Sequence, residues 1–328
     1  MCNKTPYVSV VIPAKNESAI IGWCLLALNQ LRYRQDRIEV IVVDNGSTDE
    51  TVGIAKQSGA SVFVRPGLTI SGLRNFGVRQ ARGEFIAFVD ADVIVSADWL
   101  RNAMDCFSEE VACVGCSPAI PEHATWVEKT WHLQVTSRGA RCERDWIASM
   151  NMVIRRSAFE AVGGFDETLV TCEDVDLGYR IRRAGLKILY DTTISAVHYG
   201  EAKTLVQLFK KESWRGISNF KGVARHGIVL AELPSHAVAL LYLLLVLTFP
   251  VLFFSPSTLI IPWLSLSLIF PIVKAVALAS RLNRHDQLLR LLCVWYVYGF
   301  ARGWSGFRCL FTQNGRGTLA KSAPSDNV

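Results

Sequence analysis

The sequence predicts an α/β protein: a mostly parallel sheet flanked by helices, followed by an amphipathic helix and a C-terminal transmembrane helical hairpin. Three observations carry that expectation. Short β-branched runs alternate with longer segments of helical period through residues 1–200. No Asp, Glu, Lys or Arg occurs in the 41 residues between Glu232 and Lys274. The net charge of +6 is unevenly shared, with 21 basic and 24 acidic side chains up to residue 200 but 14 and 5 after it. The expected divisions are a ligand-binding domain at 1–200, a linker helix at 201–233 and a membrane region at 234–328. With 328 residues, 50% hydrophobic and 20% charged, the chain is neither disordered nor fibrous.

Taken in order, the expected strands are Val8 to Ile12, Glu39 to Val43, Ser61 to Val64, Phe85 to Val89, Val111 to Val114 and, later, Lys187 to Leu189. The helices between them run from about Ser18 to Leu31, Thr48 to Ser58, Ser71 to Arg82 and Ala97 to Phe107. Ser47-Thr48-Asp49-Glu50 reads as a capping box opening the second helix. In such sheets ligands bind beyond the carboxyl ends of the strands, and those positions are polar here. Strand one leads into Pro13-Ala14-Lys15-Asn16-Glu17, strand two into Asp44-Asn45-Gly46-Ser47 and strand four into Asp90-Ala91-Asp92. The absence of a Gly-x-Gly-x-x-Gly fingerprint and of a P-loop counts against dinucleotide binding and ATPase chemistry.

Alternate spacing aims Asp90 and Asp92 from one strand end toward one site. Two hard oxygen ligands there suit Mg²⁺ or Mn²⁺ holding a diphosphate, because these ions take a few carboxylates plus substrate oxygens. The competing reading is a pair of solvated acids in a turn. Nine cysteines fit reduced thiols, and a strand through Val111 to Cys116 puts Cys113 and Cys116 on opposite faces, which argues against a metal or redox pair. Asn3, Asn16 and Asn45 begin sequons that carry no meaning in a cytosolic domain.

The uncharged stretch, at ~1.5 Å per helical residue, extends ~60 Å, or about two crossings of a ~30 Å hydrocarbon core. We expect helices Ala237 to Phe254 and Thr258 to Leu278, a turn at Ser255-Pro256-Ser257, and kinks at Pro250, Pro262 and Pro271. Lys221 and Arg225 before the hairpin and Arg281 and Arg284 after it place both outer ends in the cytosol by the positive-inside bias. A third segment at 288–311 has an apolar centre, Leu291 to Ala301, between Arg290 and Arg302. Its Trp295, Tyr296 and Tyr298 suit an interfacial or re-entrant path better than a crossing, and the sequence leaves this undecided. The N-terminus has no signal-peptide pattern, so residues 1–233 are expected in the cytosol. The expectation is an integral membrane protein with its first domain on the cytosolic face, most simply of a bacterial inner membrane.

On a helical wheel of Lys203 to Arg225, Leu205, Val206, Leu208, Phe209, Ile217 and Phe220 fall on one side. Lys203, Lys210, Lys211, Arg215, Lys221 and Arg225 fall on the other. That is the pattern of a helix on anionic lipid, with Gly216 and Gly222 as weak points. A helix packed on the first domain with a solvated basic face is the alternative.

The ordered motifs VSVVIPAKNE (Val8 to Glu17), VVDNGSTD (Val42 to Asp49), GLRNFG (Gly72 to Gly77), FVDAD (Phe88 to Asp92), GGFDE (Gly163 to Glu167) and CEDVDLGYRIRRAG (Cys172 to Gly185) resemble glycosyltransferase family 2. These are inverting sugar-nucleotide transferases with the GT-A fold, and the resemblance covers roughly residues 7–200. It implies an enzyme, of the hexosyltransferase class, in which Glu17 and Asp44 contact the nucleoside and Asp44 reads a base edge. Pro13, Ala14, Asn16, Gly46, Ser47 and Ala91 belong to the same nucleotide-sugar site. Asp90 touches ribose or metal, Asp92 is the principal metal ligand, and Arg74 sits near the diphosphate. Glu173 and Asp174 match the family's acidic pair, with Asp174 favoured as general base on the acceptor hydroxyl. Asp176, with Arg180, Arg182 and Arg183, fits an ordinary salt-bridged helix start. His198 is a candidate third metal ligand or a structural histidine.

The implied partners are a nucleotide-diphospho-sugar, most often with UDP, and a lipid-linked or glycolipid acceptor at the membrane, as in polysaccharide or glycolipid assembly. Nucleic acid is not an expected partner. Polyprenyl phosphate is an alternative acceptor, and a non-catalytic membrane-anchored scaffold is the reading from another class. A nucleotidyltransferase would release pyrophosphate instead of a nucleoside diphosphate. Lys211 to Gly216 (KESWRG) is similar to the Arg-Trp motif of processive members but departs from it, so no polymer synthase is inferred. Trp126, Trp131 and His132 are expected on a helix near the acceptor side, with no assigned role.

Overall fold

A computed structural model gives the architecture, describing residues 5–136, 140–217, 233–254 and 257–312. The chain divides into two compact units, one of residues 1–121 with 139–200 and the other of 122–138 with most of the chain after 200.

The first unit is built on an eight-stranded sheet. Its strands are β1 (Val8–Ala14), β2 (Ile38–Asp44), β3 (Ser61–Val64), β4 (Phe85–Val89), β6 (Val111–Gly115), β7 (Arg141–Arg144), β8 (Asn151–Arg155) and β9 (Lys187–Asp191), in the order β3-β2-β1-β4-β8-β6-β9-β7. A separate ribbon pairs β5 (Val93–Val95) with β10 (Ala196–His198) antiparallel. The half formed by β3, β2, β1 and β4 is parallel throughout, as expected of strands joined by crossover helices. The mostly parallel expectation is corrected in the other half to a mixed sheet, because β8 lies antiparallel between β4 and β6 and β7 antiparallel beside β9. Neither β7 nor β8 had been read from the sequence. Arg-Cys-Glu-Arg of β7 is a polar edge strand without apolar alternation, and β8 is an uninterrupted buried run.

Helices α1 (Ile21–Asn29), α2 (Thr51–Gln57), α3 (Ile70–Gln80), α4 (Trp99–Asp105), α6 (Arg156–Ala161) and α7 (Glu173–Arg183) cover the sheet. One core layer joins Val10, Ile12, Leu25, Leu28 and Trp99, and the other joins Val11, Phe88, Met152, Phe159 and Leu177. The second helix lacks the expected capping box. The Ser47 hydroxyl turns back to the Asp44 carboxylate, and Asp49 instead accepts from the backbone of Ser18 (3.1 Å) and Thr51 (3.1 Å). Cys113 and Cys116 are both buried, and the described cysteines are free thiols.

The second unit is helical. It comprises α5 (Trp126–Thr136), α8 (Leu205–Arg215), α9 (Leu233–Thr248), α10 (Ile260–Leu282) and α11 (Leu288–Thr312). Thr204 caps α8 through a reciprocal bond with Gln207, and the helix ends before Gly216. The expected wheel holds in part. Leu208 is buried, but Val206 is 66% exposed and Glu212, on no expected apolar face, is 1% exposed. The reason is an ion pair, since Arg302 of α11 meets Glu212 at 2.9 Å and Arg215 meets it at 2.7 Å. Phe220, Lys221, Gly222 and Arg225 lie outside the described residues.

The apolar stretch forms two helices, and among the described residues only α10 is long and apolar enough to cross a membrane, α9 giving way to a 3₁₀ segment at Phe249–Phe254. The third segment is one continuous 25-residue helix, α11, longer than its apolar centre. It packs against both members of the pair: Tyr242 meets Phe300 at 5.0 Å between ring centroids, and Phe270 meets Trp295 at 5.9 Å.

Candidate active site in the first unit

Three neighbouring strand ends, those of β2, β1 and β4, carry the polar loops. The loops after β1 and β2 are knitted together. Asn45 donates its backbone N–H to Ala14 O (2.8 Å), Asn16 N–H to Ser47 Oγ (2.8 Å) and Thr48 N–H to Asn16 Oδ1 (2.8 Å). Asn16 adopts φ 56° and Gly46 φ 77°, the left-handed conformations that let the loops turn this tightly. Asp44 is fully buried, and its Oδ1 accepts the N–H groups of Gly46 and Ser47, each at 2.9 Å. Its carboxylate therefore organises its own loop. Pro13 and Ala14 are buried beneath, and half-buried Glu17 donates its N–H to Thr51 Oγ1 (2.8 Å).

The β4 end holds a second group. Arg74, on α3 and 2% exposed, donates from Nη2 to Asp90 Oδ1 (2.7 Å) and from Nη1 to Glu173 Oε1 (2.8 Å). One guanidinium thus joins the strand end to the start of α7, across 99 residues of sequence. Cys172, at φ 65°, turns the chain into α7, and Val175 N–H caps the Asp174 carboxylate at 2.8 Å. Burial, reinforced by the neighbouring Glu173 charge and opposed by Arg74, pushes the pKa of Asp174 up to about 7. By surface area the residue as a whole is half-buried. Asp176 faces elsewhere, held by Arg180 at 2.6 Å, which is the salt-bridged helix start weighed above.

Asp92 is brought to His198 by the ribbon. β5 begins directly after it, and the register pairs Val93 with His198, leaving His198 Nε2 3.1 Å from Asp92 Oδ2. Gly200 closes this corner. A Cβ there would lie 1.8 Å from Asp92 Oδ2, so no other residue fits without displacing the carboxylate.

The family model described as glycosyl transferase family 2 matches residues 9–163. Residues 9–163 are a glycosyl transferase family 2 domain. The glycosyltransferase is 29% identical over 222 residues to Glycosyltransferase AglE of Haloferax volcanii, covering 65% of this chain and 72% of that one. It is 30% identical over 196 residues to a beta-monoglucosyldiacylglycerol synthase of Nostoc, covering 54% and 41%. The chain thus spans less than half the length of this second relative. A mannosyltransferase from Pyrobaculum calidifontis, solved in complex with GDP-Man and Mn2+, aligns over 95% of this chain and 89% of its own, with TM-score 0.63 and 17% identity. That likeness establishes a GT-A-like fold. The family match ends before Glu173, Asp174 and His198, which join the site through the geometry above.

Several supports of the candidate site have no local signature that sequence reasoning picks out. Asn75 clamps Phe165 from both sides, donating to its carbonyl (2.8 Å) and accepting its N–H (3.0 Å), which fixes GGFDE against α3. Asn151 bonds Trp99 Nε1 (2.7 Å) and the carbonyls of Cys116 and Ile194 (3.1 Å each). Asn75 lies inside a quoted motif, but Asn151 and Gly200 have no local signature. Their partners are distant in sequence.

A divalent cation fits the Asp92–His198 corner. Two ligands at about 2.1 Å in adjacent octahedral positions lie about 3 Å apart, which is the observed spacing of Oδ2 and Nε2. Among the described residues no group of three or more such side chains converges, so a cation held here would draw its other ligands from substrate oxygens and water. Gly200→Ala is expected to push Asp92 and His198 apart and weaken Mn²⁺ binding at least about 10-fold, by analogy with loss of a ligand's supporting shell. Mn²⁺ titration of the purified variant checks this, and unchanged affinity would refute it.

Proposed function

We propose that the protein transfers a sugar, with inversion, from a nucleoside-diphosphate sugar to a lipid-linked or glycolipid acceptor at a membrane, UDP being the first donor to test. The observation that carries this reading is the bridge from Asp90 through Arg74 to Glu173, next to which stands Asp174, whose pKa burial raises, beside the edge where donors bind in such sheets. A general base works best with a pKa near the working pH, and Asp174 meets that requirement.

The acceptor hydroxyl attacks the anomeric carbon while its proton passes to Asp174. The new glycosidic C–O bond forms as the bond to the diphosphate breaks, and the nucleoside diphosphate departs with the electron pair. Arg74 holds Asp90 and Glu173 in fixed relation throughout. Asp92 and His198, with Asp90 beside them, would hold Mg²⁺ or Mn²⁺, which when bound offsets the charge developing on the diphosphate. The loops of Asn16, Asp44 and Ser47 would seat the nucleoside. Support for a lipid acceptor comes from the apolar α9 and α10 and from the name of the Nostoc relative. A catalytic unit on the cytosolic face of a bacterial inner membrane agrees with the basic residues flanking these helices.

The test is nucleoside-diphosphate release by full-length protein in detergent, with native lipid extract and a donor panel, with and without EDTA. Release that needs extract and divalent metal, and is lost in Asp92→Asn, supports the reading. Pyrophosphate release, or donor binding without turnover under every condition, would overturn it.

A further inference from the structure

Resting on the reading of Asp92 and His198 as a cation corner, we infer that Asn151 is the positioning residue that sets their spacing. Its side chain bonds to neither of them. It ties together instead the backbone segments from which the corner hangs.

The corner is one end of the β5–β10 ribbon. There Tyr199 donates its N–H to Asp92 O at 3.0 Å, one step beyond the pairing of Val93 with His198. At the opposite end, the root, the pairing of Val95 with Ala196 passes into Ser96, whose N–H reaches Ser195 O at 3.0 Å. Beyond the root, β5 leads on to Trp99 at the start of α4, and Ile194 stands just before β10. A third segment flanks β10. Ala119 donates its N–H to Ala196 O (2.8 Å) and accepts that of His198 (2.9 Å), and the chain reaches Ala119 from β6 through Cys116.

Asn151 grips all three segments. Its side-chain amide meets Trp99 Nε1 at 2.7 Å and the carbonyls of Cys116 and Ile194 at 3.1 Å each. An indole N–H only donates and a backbone carbonyl only accepts, so the amide oxygen must face Trp99 and the NH₂ group the two carbonyls. Asp would turn an acceptor toward both carbonyls, and Leu would leave all three partners unpaired. Asn151 and Trp99 are fully buried, so solvent does not make good a lost bond. The amide has a firm seat of its own. Asn151 pairs with Val89 of β4, the residue before Asp90, and a Cβ on Gly115 would lie 2.2 Å from the Asn151 carbonyl oxygen.

The ribbon is thus a short lever whose two strands share one fastening. Three residues of strand, at ~3.3 Å each, carry the position of the root to the corner, ~10 Å away. With both strands held by the same group, β5 does not slide against β10, and Asp92 keeps its place beside His198.

The test uses full-length protein in detergent. Hydrogen exchange is followed at the amides of residues 93–99 and 195–200 without metal, and Mn²⁺ is then titrated into the same preparations. Asn151→Asp keeps the shape and reverses the donors, whereas Trp99→Phe deletes the indole N–H and keeps an aromatic ring. Ile154→Ala is the control for lost packing, since Ile154 is equally buried on the same strand but belongs to the other core layer. Short ribbons exchange by local opening, so a loosened fastening is read directly. Asn151→Asp is expected to speed ribbon exchange and to weaken Mn²⁺ binding about 10-fold, as loss of a ligand's outer support does. Trp99→Phe, which removes one of the three bonds, should move both in the same direction, and Ile154→Ala should lower Tm while moving neither. Ribbon exchange unchanged in the Asn151 and Trp99 variants, or raised as much by Ile154→Ala, would overturn the inference. Trp99→Phe decides it alone should Asn151→Asp not fold. Failure of the unsubstituted protein to take up Mn²⁺ would overturn the cation reading instead, with the exchange arm still deciding the role of Asn151.

Discussion

Asp174→Asn is expected to lower kcat/KM for sugar transfer by about 10²- to 10⁴-fold, the range of a lost general base, while making the protein more resistant to heat at alkaline pH. Both effects follow from one carboxyl. Burial raises its folded pKa to about 7 from an ordinary value near 3.8, so between those pH values the folded chain holds a proton that the unfolded chain has released. Stability contributed by this group is therefore present at low pH and is lost as pH rises toward 7. Asn carries no charge to bury. Discounting for the partial exposure of Asp174, the gain at pH 8 is about 1–2 kcal/mol, a rise of about 2–8 °C in Tm, and it disappears near pH 4. For the unsubstituted enzyme the same pKa predicts a kcat/KM that climbs through about pH 7 and levels off above it. Thermal melts at pH 4 and 8, with a pH–rate profile, test the sign. A variant less stable at pH 8, or fully active, would remove Asp174 from the role of base.

Asp92→Asn is expected to cost a comparable ~10³-fold in turnover, for a different reason. The carboxylate is one of the two groups paired at the ribbon corner, and Asn supplies a neutral oxygen with far weaker affinity for a hard cation. Donor binding measured without turnover should lose its response to Mn²⁺, and excess Mn²⁺ should restore part of the lost rate. The pH–rate limb assigned to Asp174 should remain where it was. Rates insensitive to EDTA in the unsubstituted enzyme would instead leave Asp92 and His198 as a structural pair.

The parts of the fold legible in the sequence were those whose periodicity is local. β3 and β4 begin and end where the apolar runs do, and α3 is displaced by only one or two residues. What stayed hidden depends on distant partners. β8 is recognisable as a strand only once β4 and β6 flank it, and β5 and β10, three residues each, exist because they pair with one another. The site followed the same rule. Asp90, Asp92, Asp174 and Arg74 stood in motifs, whereas the bridge through Arg74 and the fit of Gly200 against Asp92 required coordinates. The wheel of α8 failed at Glu212 for a related reason, since a buried acid on a basic face makes sense only beside Arg302.

The ribbon that pairs β5 with β10 also bears on when the enzyme becomes competent during its own synthesis. Asp92 and His198 are 106 positions apart, and Gly200 follows His198 almost immediately. A nascent chain that has already laid down β1 to β4 still lacks His198, one side of this corner, until the ribosome has added about a hundred more residues. Closing so long a loop is entropically slow relative to the local crossovers that precede it. The pair therefore forms only after the first unit is complete, when the helices that follow residue 200 are the next to emerge.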